Sequence, residues 1–245
     1  MKTFLEELKK EYRDQIHPES RVLALISLFM ALYVVLHLLP ISVYIGGPGF
    51  ITAAILFVPI IAYIFKPLHA LLIAVGSSII VFMTGLATAP VFGIFAIFMP
   101  IMAMGLGSIA FRHWIGKLGI IGWLIIEGVY YSIFGGTVLW LIPYAIVCVL
   151  MGFFVIVDFT ELLTDAELGA EWFKWIFLAS MCYAITIVEL AAMNTLSIGV
   201  LLLPPELWIF IFPVAMFERI VALAGSLLIL KTLIQREDIG ELLEY

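Results

Sequence analysis

The 245-residue chain is 64% hydrophobic and 12% charged, with 12 Lys and Arg against 18 Asp and Glu, whereas an ordinary soluble domain carries about 25% charged residues. A soluble globule is excluded, and a net charge of −6 without any Lys/Arg cluster argues against a nucleic-acid partner, because phosphate binding needs basic patches. Ten charges fall in residues 1–21 and a single one, Lys66, in the 90 residues from Val22 to Phe111; that stretch has no water-facing surface to offer and must face lipid.

In residues 1–21, Phe4, Leu5, Leu8, Tyr12 and Ile16 recur near helical spacing with charges between them. This predicts an amphipathic helix lying on the cytoplasmic membrane surface, and it is too charged for a signal peptide. Apolar segments follow at 22–39, 50–65, 67–86, 91–111, 118–135, 138–157, 173–199 and 207–231, close to the roughly 17–25 residues of a spanning helix. They are divided by Pro40 and Gly46 to Gly49, Lys66-Pro67, Ala89-Pro90, Arg112 to Lys117, Gly135-Gly136 and Pro204-Pro205, all with turn chemistry.

The 118–157 region reads as a hairpin about Gly135-Gly136 or as one long crossing. With eight crossings, one side of the membrane receives Lys2, Lys9, Lys10, Arg13, Arg21, Lys66, Arg112, Lys117, Lys174, Lys231 and Arg236, and the other receives no basic residue. With seven, the last three would change sides, against the positive-inside rule. The expectation is therefore an all-α, polytopic bundle of about eight helices in the cell membrane, with both termini cytoplasmic. Residues 22–231 form its single transmembrane domain and 232–245 a cytoplasmic tail. The acidic segment 158–172, with capping-box spacing from Thr164 to Glu167, is expected to open the seventh helix before the membrane begins.

Ionisable groups in a bilayer cost several kcal/mol and mark functional candidates. Glu127, Glu189, Glu218 and Arg219 all fall near mid-depth of their segments, with Glu218 and Arg219 expected as an electrostatic pair. Trp123, Glu127, Tyr130, Tyr131 and Phe134 share one helical face. A carboxylate among aromatic rings is a receptor for an organic cation or nitrogen heterocycle; an ordinary packing face is the plain alternative. On the seventh segment, Thr186 and Glu189 share a face with Cys182 and Met193, while Asn194, Thr195 and Ser197 follow toward the outer end, to line a cavity or to join helices by hydrogen bonds.

Small residues four apart mark close helix contacts: Ser27 with Ala31, Ala70 with Ala74 and Ser78, Ala103 with Gly107, and Ala222 with Ser226. Cys148 and Cys182 read as buried small hydrophobes. His37 and His69 fall at opposite ends of their segments, and no Cys or His pair has ligand spacing, so neither metal nor cofactor is expected. The absence of GxxxxGK[ST], HExxH and GxSxG leaves ATP hydrolysis and hydrolase chemistry without support and no catalytic residue to name.

Three stretches together carry a family likeness. Ala24 to Val35, with Ser27 and Ala31 four apart, is followed by the loop from Pro40 to Gly49, the segments Ile51–Pro67 and His69–Gly85, and finally Pro213 to Thr232 with Phe217-Glu218-Arg219. This order resembles the substrate-binding S-component of energy-coupling factor (ECF) transporters. The resemblance implies a six-helix core, a first helix docking through Ser27 and Ala31 on a transmembrane coupling subunit, an outer loop closing over the solute, and two ATPase subunits as further partners. The hairpin 118–157 and the acidic segment after it would be additions to that core.

The expectation is a non-enzymatic membrane transport protein that takes a small vitamin-like solute, with Trp123, Glu127, Tyr130, Tyr131, Glu189 and Asn194 as its contacts. The alternatives are a self-sufficient proton-coupled transporter or channel, an intramembrane enzyme using a glutamate as base, and a structural subunit of a membrane complex.

Overall fold

The computed structural model describes residues 20–43, 50–86, 89–134, 138–164, 171–204 and 206–235. The expected helix of residues 1–21 and most of the 232–245 tail lie outside these. Within the described residues eight helices of two turns or more follow one another: α1 (Ser20–Leu36), α2 (Phe57–Ile64), α3 (Pro67–Thr84), α4 (Phe98–Arg112), α5 (Trp114–Phe134), α6 (Leu141–Thr164), α7 (Glu171–Gly199) and α8 (Leu207–Ile234). Among the described residues, six stretches are long and apolar enough to cross a membrane: Pro67–Thr84, Gly93–Arg112, Trp114–Phe134, Val138–Thr160, Trp172–Gly199 and Leu207–Ile234. The chain is thus an all-α bundle of the multi-pass membrane kind, with Leu72, Ile126, Val149, Ile156, Phe210 and Leu228 exposed on its flanks.

Helix boundaries follow the sequence punctuation. Pro67 opens α3, where its missing N–H costs no helical bond. Gly85, at φ 66°, closes the same helix in the left-handed conformation while the Leu86 N–H returns to the Val81 carbonyl at 3.1 Å. The 118–157 region is a hairpin: α5 packs along α6, and Tyr131 near the end of α5 lies 6.0 Å, ring to ring, from Trp140 just before α6. Asp158 to Thr164 continue α6 instead of opening the next helix, and α7 begins at Glu171; the capping-box residues 165–167 lie outside the described residues.

The second expected span departs most from a plain helix. Phe50–Thr52 form a strand (β2) paired antiparallel with Pro40–Val43 (β1), with Ser42 opposite Ile51; a 3-10 turn at Ala53–Leu56 then leads into the eight-residue α2. Non-helical backbone is tolerated at membrane depth only where protein or a water-filled cavity covers it. Here Ile51, Thr52, Ala54 and Ile55 are all buried, and the Ala53 N–H finds the Leu39 carbonyl at 2.8 Å.

Helix α7 is the axis of the bundle. It packs against α2, α4, α5, α6 and α8, and 72% of its spanning window is buried. Small residues let neighbours approach: a Cβ on Gly107 of α4 would stand 2.8 Å from Ile185 and 3.1 Å from Ala62. Ala70, Ala74 and Ala222 are fully covered, and Ser226 donates to the Leu56 carbonyl at 2.7 Å. Ser27 and Ala31 are different, since both face outward from α1.

One end of the bundle gathers basic residues. Arg112, ending α4, donates to the carbonyls of Ala62, Tyr63 and Ile64 at 3.2, 3.0 and 3.3 Å, capping the last turn of α2. Lys117, opening α5, is paired with Asp158 near the end of α6 and lies 5.1 Å from the Phe177 ring centroid of α7. These contacts join the ends of α2, α4 and α6 to the starts of α5 and α7, as an alternating bundle requires.

Candidate functional site

The four ionisable residues expected near mid-depth resolve into two levels. Arg219 of α8 is 2% exposed and donates through Nη1 to Glu189 of α7 at 3.1 Å. Its chain neighbour Glu218 lies within electrostatic reach of Arg219, but the hydrogen-bonded ion pair is the one with Glu189. Successive helical residues point about 100° apart, and Glu218 turns instead toward β1, accepting a hydrogen bond from the Ser42 hydroxyl. The hairpin is thereby fastened to α8 beside the ion pair.

Glu189 and Arg219 form part of the wall of a cavity of about 60 Å³, with Tyr33 and His37 of α1, Thr52 of β2 and Ser78 of α3 among its other polar residues. His37 Nδ1 lies 2.8 Å from the Tyr33 carbonyl oxygen, and the two rings meet edge to face at 4.7 Å. A guanidinium carries five N–H donors, yet among the described residues Arg219 has one side-chain acceptor, Glu189, and its Nε is buried without any. A buried guanidinium with unused donors beside a cavity can receive a planar anion such as a carboxylate.

Glu127 belongs to the second level. It is 1% exposed on the inner face of α5, between Leu124 and Tyr131, and its Oε2 accepts from the Thr195 hydroxyl of α7. Thr195 lies six residues beyond Glu189, about 9 Å farther along α7 at 1.5 Å per residue. Asn194, fully buried, donates through Nδ2 to the Tyr144 hydroxyl at 2.9 Å. Among the described residues, two buried acceptors, Glu127 Oε1 and Asn194 Oδ1, have no hydrogen-bond partner, and no Lys or Arg pairs with Glu127.

The aromatic face expected to receive a solute is divided. Tyr131 is fully buried, 6.0 Å from Trp140 and 5.5 Å from Trp208, ring centroid to centroid, within a tight aromatic cluster. Trp123 packs on Phe98 at 5.7 Å, and Tyr130 on Phe134 at 4.9 Å. None of Trp123, Glu127, Tyr130, Tyr131 and Asn194 lines the cavity, whereas Glu189 does. Sequence reading did not find the roles of Ser42, Tyr33 and Thr52, which depend on the hairpin folding back between helices. Nor did it foresee the Lys117–Asp158 pair, part of a wider cavity of about 470 Å³ at the basic end.

The fold and these buried polar levels define a polytopic α-helical membrane protein. No protein-family model, no curated protein and no solved structure matches the chain.

Proposed function

We propose that the chain is the solute-binding subunit of an ECF-type importer in the cell membrane, taking up a small vitamin-like solute. The observation that carries this reading is the β1–β2 hairpin. It is irregular backbone held inside an otherwise helical bundle, it lines the cavity through Ile51 and Thr52, and it is latched by Ser42 to the residue beside Arg219. Membrane proteins keep such backbone at membrane depth where it serves a cavity.

With about 10–15 Å³ needed per water, the cavity has room for a few water molecules, far below the roughly 300–1,000 Å³ of a small-molecule pocket. Solute entry therefore requires the hairpin to lift, breaking the Ser42–Glu218 hydrogen bond. A solute bearing a carboxylate or similar acceptor would then occupy the spare donors of Arg219. The outward face of α1 around Ser27 and Ala31 supports a docking role, because the other small-residue pairs are consumed inside the bundle. Transport would require a coupling subunit and two ATPases.

The test is calorimetric solute binding to the purified chain together with uptake by liposomes containing only this chain. Tight binding without flux is the expected outcome. Uptake driven by a pH gradient with no partner overturns the reading in favour of a self-sufficient transporter.

A further inference from the structure

Glu127 lies outside the cavity beside Arg219 and pairs with no Lys or Arg among the described residues. An ionised carboxylate left alone in a low-dielectric interior is strongly disfavoured, and one hydroxyl from Thr195 does not cancel its charge. Among the described residues, two buried oxygens at this level lack a donor, and the buried Trp123 Nε1, one turn earlier on α5, lacks an acceptor. Glu127 Oε1 and Asn194 Oδ1 are both buried acceptors without a donor, and Thr195 Oγ1 presents lone pairs between Glu127 Oε2 and the Ala191 carbonyl at 3.0 Å. Asn194 donates to the Tyr144 hydroxyl of α6 at 2.9 Å, and the Tyr144 ring approaches α5 beside Glu127, 3.9 Å from where a Cβ on Gly128 would stand.

Carboxylate, amide and hydroxyl oxygens are the donor set of a hard cation. With a single carboxylate in the cluster, a monovalent ion cancels the charge, whereas a divalent ion would leave an uncompensated positive charge in the interior. We propose that Glu127, Asn194 and Thr195 bind a monovalent alkali cation, probed first as sodium, and that this cation joins α5 to α7. A shared proton is the rival occupant. It would satisfy one acceptor at a time and respond to pH instead of to sodium.

The experiment follows thermal unfolding of the full chain in detergent as sodium chloride replaces choline chloride at constant ionic strength and pH, beside equilibrium dialysis with radioactive sodium. The expected result is a saturable, sodium-dependent rise in Tm, matched by saturable sodium binding. Glu127→Gln should abolish both, and Asn194→Ala should weaken the apparent affinity by about tenfold or more, the equivalent of one lost ligand bond. Glu206→Gln, at an exposed carboxylate before α8, should retain the full shift. The proposal is overturned by absence of saturable sodium binding to the parent chain, by a shift that persists in Glu127→Gln, or by stabilisation that follows pH at any cation composition. Because the readout contains no solute, its failure is distinguishable from failure of the solute-binding reading.

Discussion

Two glutamates meet at helix α7 and are treated differently. Glu189, on α7, faces a cavity and is matched by a full positive charge on Arg219; Glu127, on α5, is covered by protein and matched by the hydroxyl of Thr195. The first arrangement is a fixed ion pair beside room for water, and under the proposed function it would exchange partners with a solute. The second is a sealed acceptor cluster, suited to something small that stays. Charge near mid-depth is therefore not one phenomenon in this bundle, and composition alone does not distinguish the two.

Substitutions can break this contrast or sharpen it. The largest effect is expected for Arg219→Met, which strands Glu189 beside Glu218: removing one partner of a buried pair costs about 3–5 kcal/mol. It should appear as a large drop in Tm in detergent, and adding Glu189→Leu should restore most of it. Failure of that rescue would mean that Arg219 is held by something other than the ion pair.

Gly107→Val comes next. It forces a side chain into Ile185 and Ala62, and overpacking of this kind costs about 1–3 kcal/mol. Because it pushes on α7 without touching either carboxylate, hydrogen exchange should rise at both levels together. Ser42→Ala removes the latch on Glu218 and should cost about 1 kcal/mol for a partly exposed hydrogen bond. Its signature is faster exchange of the Ala53 N–H, with the Glu127 level unchanged.

Glu127→Gln keeps an oxygen for Thr195 and should cost less than about 1 kcal/mol without added sodium. A loss as large as that of Arg219→Met would erase the distinction drawn between the two glutamates. Ala31→Leu, on the exposed face of α1, should change stability by no more than about 0.5 kcal/mol. If this face docks a coupling subunit, the same substitution should abolish co-purification with it.

Most of the helical frame was legible because charges, prolines and glycines punctuate it, and Lys66-Pro67 and Pro204 fall where helices are interrupted. The hairpin was not legible. Phe50 to Leu56 is a continuous apolar run, and such a run reads equally well as helix or buried strand; only pairing with β1, folded back from across the loop, decides it. The shared face of Glu127 and Tyr131 was visible in their spacing, but the hydrogen-bond partner of Glu127, Thr195, is 68 residues away and on another helix. Arg219 was expected beside Glu218 because adjacency in sequence is visible, while the 30-residue separation from Glu189 is closed only by the packing of α7 on α8.

The length and burial of α7 have a mechanical consequence. Glu189 and Thr195 are carried by one continuous 29-residue rod, so neither can be repositioned by itself. A slide of half a turn, about 2.7 Å, would take Thr195 off Glu127 in the same movement that draws Glu189 away from Arg219. Any event that sets the height of α7 at one contact is therefore read out at the other.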